Sequence, residues 1–109
     1  MKHSLLRIYI GESDMTGSKP LYEALLLKAR EAGLAGATVF KGFMGFGHAS
    51  IIHTAKILRL SEDMPILIEI ADTDEKIDSF IPHVKEMLNK SGSHGLITRE
   101  LVEIIPYRE

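Results

Sequence analysis

Residues 41–48, KGFMGFGH, form the part of the chain whose residue types best suit ligand chemistry. Three glycines let the backbone approach a ligand closely or adopt a positive φ, and successive N–H groups in such a turn can bind an anion. Lys41 and His48 flank the glycines with a cation and a hydrogen-bond donor. The spacing matches neither a Walker A loop nor the dinucleotide GxGxxG pattern. A β-bulge or turn at the end of a strand also explains the glycines, so both interpretations stay open.

The charge distribution favours an anionic ligand at the same place. The net charge is −2, which argues against a general nucleic-acid-binding protein. Residues 32–61 contain no Asp or Glu but include Lys41, Lys56 and Arg59, so this segment carries +3 and the rest of the chain −5. A cluster of one sign in a small acidic protein attracts anions. Chance is the alternative, because the density of basic residues in this segment is ordinary.

A second glycine cluster, Gly92-Ser93-His94-Gly95, precedes the last predicted strand. It suits either a plain helix stop and turn or a second ligand-binding segment.

Other chemistries find little support. The chain has no cysteine, which excludes disulfides, thiol catalysis and thiolate metal sites. No two of the five histidines have the i, i+4 spacing of a helical metal motif. A capping box at Asp72 and Glu75 explains the acidic run there. We therefore predict no catalytic residue, no metal ligand and no enzyme.

A phosphate-ester or acylphosphate hydrolase is one alternative, although it needs an amide to position water and Asn89 is the only asparagine. A ligand-free structural or metal-responsive trimer is the other.

Hydrophobic periodicity predicts six elements in the order strand, helix, strand, strand, helix, strand. The first helix begins at Pro20 and stops at Gly33. The second begins after Asp72, and Pro82 should kink it. The strands are predicted at residues 5–10, 36–43, 65–70 and, in two pieces, 96–97 and 101–105.

This order is the split βαβ, or ferredoxin-like, pattern. It predicts a single α+β domain over residues 1–109, with both helices on one face of a four-stranded antiparallel sheet. The other face would be left open and largely apolar, which predicts association. The first and third strands would be central, so the two glycine clusters would lie on opposite edge strands and could meet across a subunit boundary. No signal-peptide core and no run of about 18 apolar residues is present, so we expect a cytoplasmic protein without membrane insertion.

Several motifs resemble a known family. Residues 41–48 resemble the end of strand 2 in PII signalling proteins, where a Lys-Gly-x-Gly run opens the T-loop and wraps a nucleotide, and residues 92–97 resemble their phosphate-binding segment more weakly. The whole chain resembles the PII-like DUF190 family more closely still. The motifs that carry this second resemblance are residues 6–12, 19–22, 35–39, 42–47 and 52–63, and Pro65.

The resemblance implies a homotrimeric regulatory protein for signal transduction, with sheets facing inward and nucleotide-binding clefts between subunits. It implies ATP, ADP or AMP as ligand, no obligatory cofactor, and a partner such as a membrane transport protein. The chain departs from the PII pattern because residues 48–64 are short for a T-loop and lack a tyrosine, which excludes uridylylation there. Leu96 also follows Gly95 where PII proteins have phosphate-binding residues. Taken together, the motifs and the resemblance give these candidate ligand-binding residues: Lys41, Gly42, Phe43, Gly45, Phe46, Gly47, His48, Lys56, Arg59, Gly92, His94 and Gly95.

Overall fold

The computed structural model describes residues 2–46 and 63–108 and has two long helices packed on a sheet. Its elements are β1 His3–Gly11, β2 Met15–Thr16, β3 Lys19–Pro20, α1 Leu21–Glu31, β4 Thr38–Lys41, β5 Pro65–Thr73, α2 Asp74–Ser91 and β6 Leu96–Val102.

The main sheet has the strand order β4-β5-β1-β6, and every neighbouring pair is antiparallel. The two long strands β1 and β5 pair along their full nine-residue lengths at the centre. The predicted ferredoxin-like α+β fold, with its first and third strands central, is therefore confirmed. The residues between β1 and α1, for which the sequence predicted no strand, contain the short β2–β3 pair.

The core lies between the helices and one face of the sheet. Alternate residues of β1 and β5 are buried because a strand turns successive side chains to opposite faces. The helices contribute residues three or four positions apart, which share one helical face. The core side chains are Leu6, Ile8, Ile10, Leu21, Leu25, Ala29, Ile66, Ile68, Ile70, Ile77, Phe80, Val84 and Leu88.

In residues 2–46 and 63–108 no helix packs on the opposite face of the sheet, and this open face carries both apolar and charged side chains. The register aligns Phe40, Leu67, Tyr9 and Leu96 in one row across the four strands. In the next row, Arg7 donates to Glu69 over 3.0 Å and also pairs with Glu100. These two carboxylates raise the pKa of the Arg7 guanidinium through their hydrogen bonds. The open face therefore combines an apolar row with an ion-paired one.

The start of α2 differs from the prediction. Thr73, not Asp72, is the N-cap, and its hydroxyl accepts a hydrogen bond from the Lys76 backbone N–H over 3.3 Å. The strand continues this far because Thr73 pairs with His3 on the neighbouring strand. Asp72 instead accepts from the backbone N–H groups of Ala35 (2.9 Å) and of Thr73 (2.7 Å). The predicted capping box is therefore wrong, and Asp72 fastens the segment before β4 to the end of β5.

Two further elements are each continuous. The last strand is a single element, Leu96–Val102, because Thr98, Arg99 and Glu100 also pair with β1 and join the two predicted pieces, and it ends before the predicted residue 105. Helix α2 runs through Pro82 as one continuous element of 18 residues.

Candidate functional site

Both glycine clusters lie at the same end of the sheet but on opposite edges. Gly42 follows β4, and Gly95 precedes β6, while β5 and β1 lie between these strands. Three interstrand spacings separate the edge strands by about 14 Å. Within one subunit, the described glycines of the two clusters therefore lie apart.

The glycines after β4 are explained by contact with Pro65. The Gly42 N–H donates to the Pro65 carbonyl over 2.7 Å. A Cβ at Gly42 would lie 2.5 Å from Pro65 Cγ, and one at Gly45 would lie 3.2 Å from the same atom. Neither glycine has a positive φ. Of the two roles that these glycines could have, positive φ is therefore not used at these two positions, and the close approach that they allow is to Pro65.

The side chains between these glycines point into solvent. Phe43 is 87% exposed, and Met44 and Phe46 are about two-thirds exposed. Large apolar side chains exposed together on a small protein usually mark a surface that contacts another molecule. Phe43 and Phe46 are therefore accessible to a ligand or a partner.

Lys41 is the cation of this segment, and it is already paired. Its Nζ lies 2.8 Å from Glu12 Oε2. The hydrogen bond to Glu12 and the attraction of its charge raise the pKa of Lys41. The Lys41 side chain remains 57% exposed, so an anion from solvent can reach the ammonium group.

The second glycine cluster has a structural explanation at both of its glycines. Gly92 ends α2 with φ +72°, and the Ser93 N–H donates to the Leu88 carbonyl over 3.1 Å, which is a usual helix stop. A Cβ at Gly95 would lie 2.6 Å from the Tyr9 carbonyl oxygen. The helix-stop interpretation is therefore confirmed at Gly92, while His94 between the two glycines is exposed.

The loop of residues 11–14, which sequence reasoning did not single out, connects both segments. Asp14 accepts from the Ser93 hydroxyl over 2.8 Å and from the Gly11 N–H over 3.0 Å. Glu12 reaches Lys41 on the other side. The one sequence signal for this loop was its position, since a Gly-Glu-Ser-Asp run directly follows a predicted strand. Both predicted anion-binding segments therefore contact a carboxylate of this loop.

The remaining predicted site residues and site types divide as follows. Gly47, His48, Lys56 and Arg59 lie outside the described residues, so their roles stay predictions. Within residues 2–46 and 63–108, no group of three or more His, Asp or Glu side chains is placed to hold a metal ion. Neither helix in that part of the chain is long and apolar enough to cross a membrane.

Comparison with protein families gives one match over nearly the whole chain. The model of the DUF190 family, described as "Uncharacterized ACR, COG1993", matches residues 3–104. A UPF0166 protein of Aquifex aeolicus is 42% identical over 106 residues, covering 96% of this chain and 95% of its own. A UPF0166 protein of Methanocaldococcus jannaschii is 32% identical over 92 residues, covering 84% of each chain.

Comparison with solved structures identifies the same fold in CPII of Thiomonas intermedia K12, a nitrogen regulatory PII-like protein. Its apo form matches with a TM-score of 0.57 and 14% identity, over 94% of this chain and 92% of that one. CPII bound to ADP, AMP and bicarbonate matches with a TM-score of 0.59 and 14% identity, over 97% and 98%. The chain therefore has the PII-like fold.

Proposed function

The chain belongs to the PII-like DUF190 family, and on this basis we propose that it is a small regulatory protein that binds an adenine nucleotide in clefts between subunits. The observation that carries the proposal is the fold shared with CPII, which has been solved with ADP and AMP bound. The likeness extends over at least nine-tenths of both chains.

The exposed ammonium of Lys41 supports a phosphate-containing ligand. It stands at the end of an edge strand beside a glycine segment. A lysine ammonium is a compact charge with three donors, which suits phosphate oxygens. The neighbouring Phe43 and Phe46 offer aromatic surface for the base. Under this proposal Lys41 binds phosphate, and the backbone from Gly42 onward lines the cleft together with Gly47, His48, Lys56 and Arg59.

A homotrimer completes the proposed site. The open sheet face carries an apolar row, and covering it with other copies removes that surface from water. Association would also allow the segment at Gly92, His94 and Gly95 of one subunit to approach Lys41 of another. Within one subunit those segments lie on opposite edges of the sheet, which is why the proposal places the cleft between subunits.

The proposed role is binding and not catalysis. In this proposal the nucleotide orders the segment after β4, and the ordered segment changes contact with a partner protein. The exposed Phe43, Met44 and Phe46 suit such a contact. The resemblance to PII proteins implies a cytoplasmic protein whose partner is a membrane transport protein.

Calorimetric titration with ATP, ADP and AMP tests the proposal. We expect saturable binding of at least one nucleotide, and Lys41→Ala should weaken it by roughly tenfold because a charge-assisted hydrogen bond is lost. Lys28→Ala is the matched control, since Lys28 also forms an exposed ion pair, with Glu31, but on α1. Light scattering should give three times the chain mass of 12.1 kDa. Absence of binding by all three nucleotides would overturn the proposal. Hydrolysis of a bound nucleotide would also overturn it, because the protein would then be an enzyme.

A further inference from the structure

Glu12 forms an ion pair with Lys41, the residue whose ammonium group binds the ligand in the proposed function. Its Oε2 lies 2.8 Å from Lys41 Nζ, within hydrogen-bond distance. The two side chains are 36% and 57% exposed. An exposed pair of this kind contributes little to folding stability, because water solvates both partners well when they separate. The contact can therefore be exchanged for another anion without unfolding the neighbouring structure.

The backbone holds Glu12 in this position independently of the ion pair. The Glu12 N–H donates to the Met64 carbonyl over 2.9 Å. The next N–H, of Ser13, donates to Asp63 Oδ1 over 2.9 Å, and the Gly11 N–H is bound by Asp14. Hydrogen bonds thus hold three consecutive N–H groups, so the backbone of Glu12 keeps its side chain close to Lys41.

The other carboxylate of the loop has a different character. Asp14 is bonded to both the Ser93 hydroxyl and the Gly11 N–H, and its carbonyl accepts from the Leu21 N–H over 2.8 Å. Displacing the Asp14 carboxylate would leave two partly buried donors, the Ser93 hydroxyl and the Gly11 N–H, unpaired, which is costly. Of the two carboxylates, Glu12 is therefore the one that a ligand can displace.

We propose that Glu12 is an intramolecular competitor for the phosphate of the ligand at Lys41, and thereby sets the nucleotide affinity of the site. This inference rests on the proposed function. In the ligand-free protein the Glu12 carboxylate holds the ammonium group. On binding, Lys41 exchanges that carboxylate for a phosphate oxygen, and Glu12 becomes solvated.

The substitution Glu12→Gln tests the competition because glutamine keeps the shape of the side chain and removes its charge. Affinity for ADP, measured by calorimetry on the full chain, should increase about two- to fivefold, as expected for the loss of an exposed ion pair. Glu31→Gln is the matched control: it makes the same change of charge in the pair with Lys28, whose N–O distance is 3.4 Å. It should leave the Kd for ADP unchanged.

The same substitution in a Lys41→Ala protein distinguishes competition for Lys41 from electrostatic repulsion between Glu12 and the nucleotide. Glu12→Gln should bring no gain in affinity when Lys41 is already alanine, because no ammonium remains to be released. An equal gain in both backgrounds would mean that Glu12 repels the nucleotide from a distance, and would overturn the proposal. Weaker ADP binding by Glu12→Gln alone would overturn it as well, because Glu12 would then contact the ligand or position Lys41 for it.

A measurement without nucleotide keeps this inference distinguishable from the proposed function. Acylation of the Lys41 amine, followed by mass spectrometry, requires the neutral amine. Because Glu12 raises the pKa of Lys41, Glu12→Gln should make acylation faster, and an unchanged rate would overturn the competition. If ADP binds and Glu12→Gln has the wild-type Kd, only the competition fails. If none of ATP, ADP and AMP binds to any variant, the proposed function fails, and the competition fails with it.

Discussion

Replacing Gly95 by alanine should destabilise the folded chain, because no space exists for a methyl group there. A Cβ at this position would lie 2.6 Å from the Tyr9 carbonyl oxygen and 3.0 Å from both Ile10 Cγ2 and Leu88 Cδ2. The carbonyl belongs to the backbone of central strand β1, which pairs with β6 from Leu96 onward. It cannot move aside as the end of a flexible side chain would, so the strand pairing itself must be distorted.

The expected magnitude follows from that contact. Gly95 is exposed, but an added methyl group would point at packed atoms. Overpacking costs about 1–3 kcal/mol, and a clash with backbone belongs in the upper part of this range. We therefore expect a loss of roughly 2–3 kcal/mol in the free energy of unfolding for Gly95→Ala. For a chain of this size the melting temperature should fall by about 10–15 °C. Urea unfolding followed by circular dichroism measures the first quantity, at one fixed protein concentration because association also stabilises.

Gly36→Ala is the control for this experiment. Gly36 has no heavy atom within 4 Å of an added Cβ and no positive φ. Alanine there should leave stability unchanged or raise it by up to about 1 kcal/mol, because it restricts the unfolded chain. If Gly95→Ala were as stable as wild type but bound ADP poorly, the packing argument would be refuted. Gly95 would then be a ligand-binding glycine, as its place in the second cluster suggested.

Two further substitutions test the fold around the site. Burial by itself raises the pKa of Asp72, but the N–H groups of Ala35 and Thr73 outweigh it and lower the pKa overall. The ionised carboxylate therefore adds stability above the unfolded-state pKa of about 3.9, and this stability is lost as pH falls through the lower folded value. Asp72→Asn should lower the free energy of unfolding by about 1–2 kcal/mol at pH 7. It should also make that free energy depend less on pH below about pH 4, and a pH dependence identical to wild type in this range would contradict the argument. Gly92→Ala should cost about 1–2 kcal/mol in urea unfolding, because φ is +72°, with Gly92→Asn less affected; equal losses for both would point to another cause.

The open sheet face shows which features the alternation of residues along a strand can predict and which it cannot. Alternation along β1 divides its residues between the two faces of the sheet, and Arg7 and Tyr9 lie on the open face. Alternation did not predict that Arg7 would stand between Glu69 and Glu100, which come from two other strands. Those contacts depend on register, and register is decided by how the strands pair along their whole length.

The sequence by itself determined the order of the six main elements, and it offered the helix stop at Gly92 as one of two interpretations. Each of these depends on local periodicity or on backbone conformation, which neighbouring residues largely decide. Tertiary structure alone decided what Gly42, Gly95 and Lys41 contact. Pro65, Tyr9 and Glu12 are far from them in sequence and reach them because the strands end side by side at one end of the sheet. A glycine required by a distant carbonyl and a glycine required by a ligand have the same sequence signature, and only the positions of the surrounding atoms distinguish them.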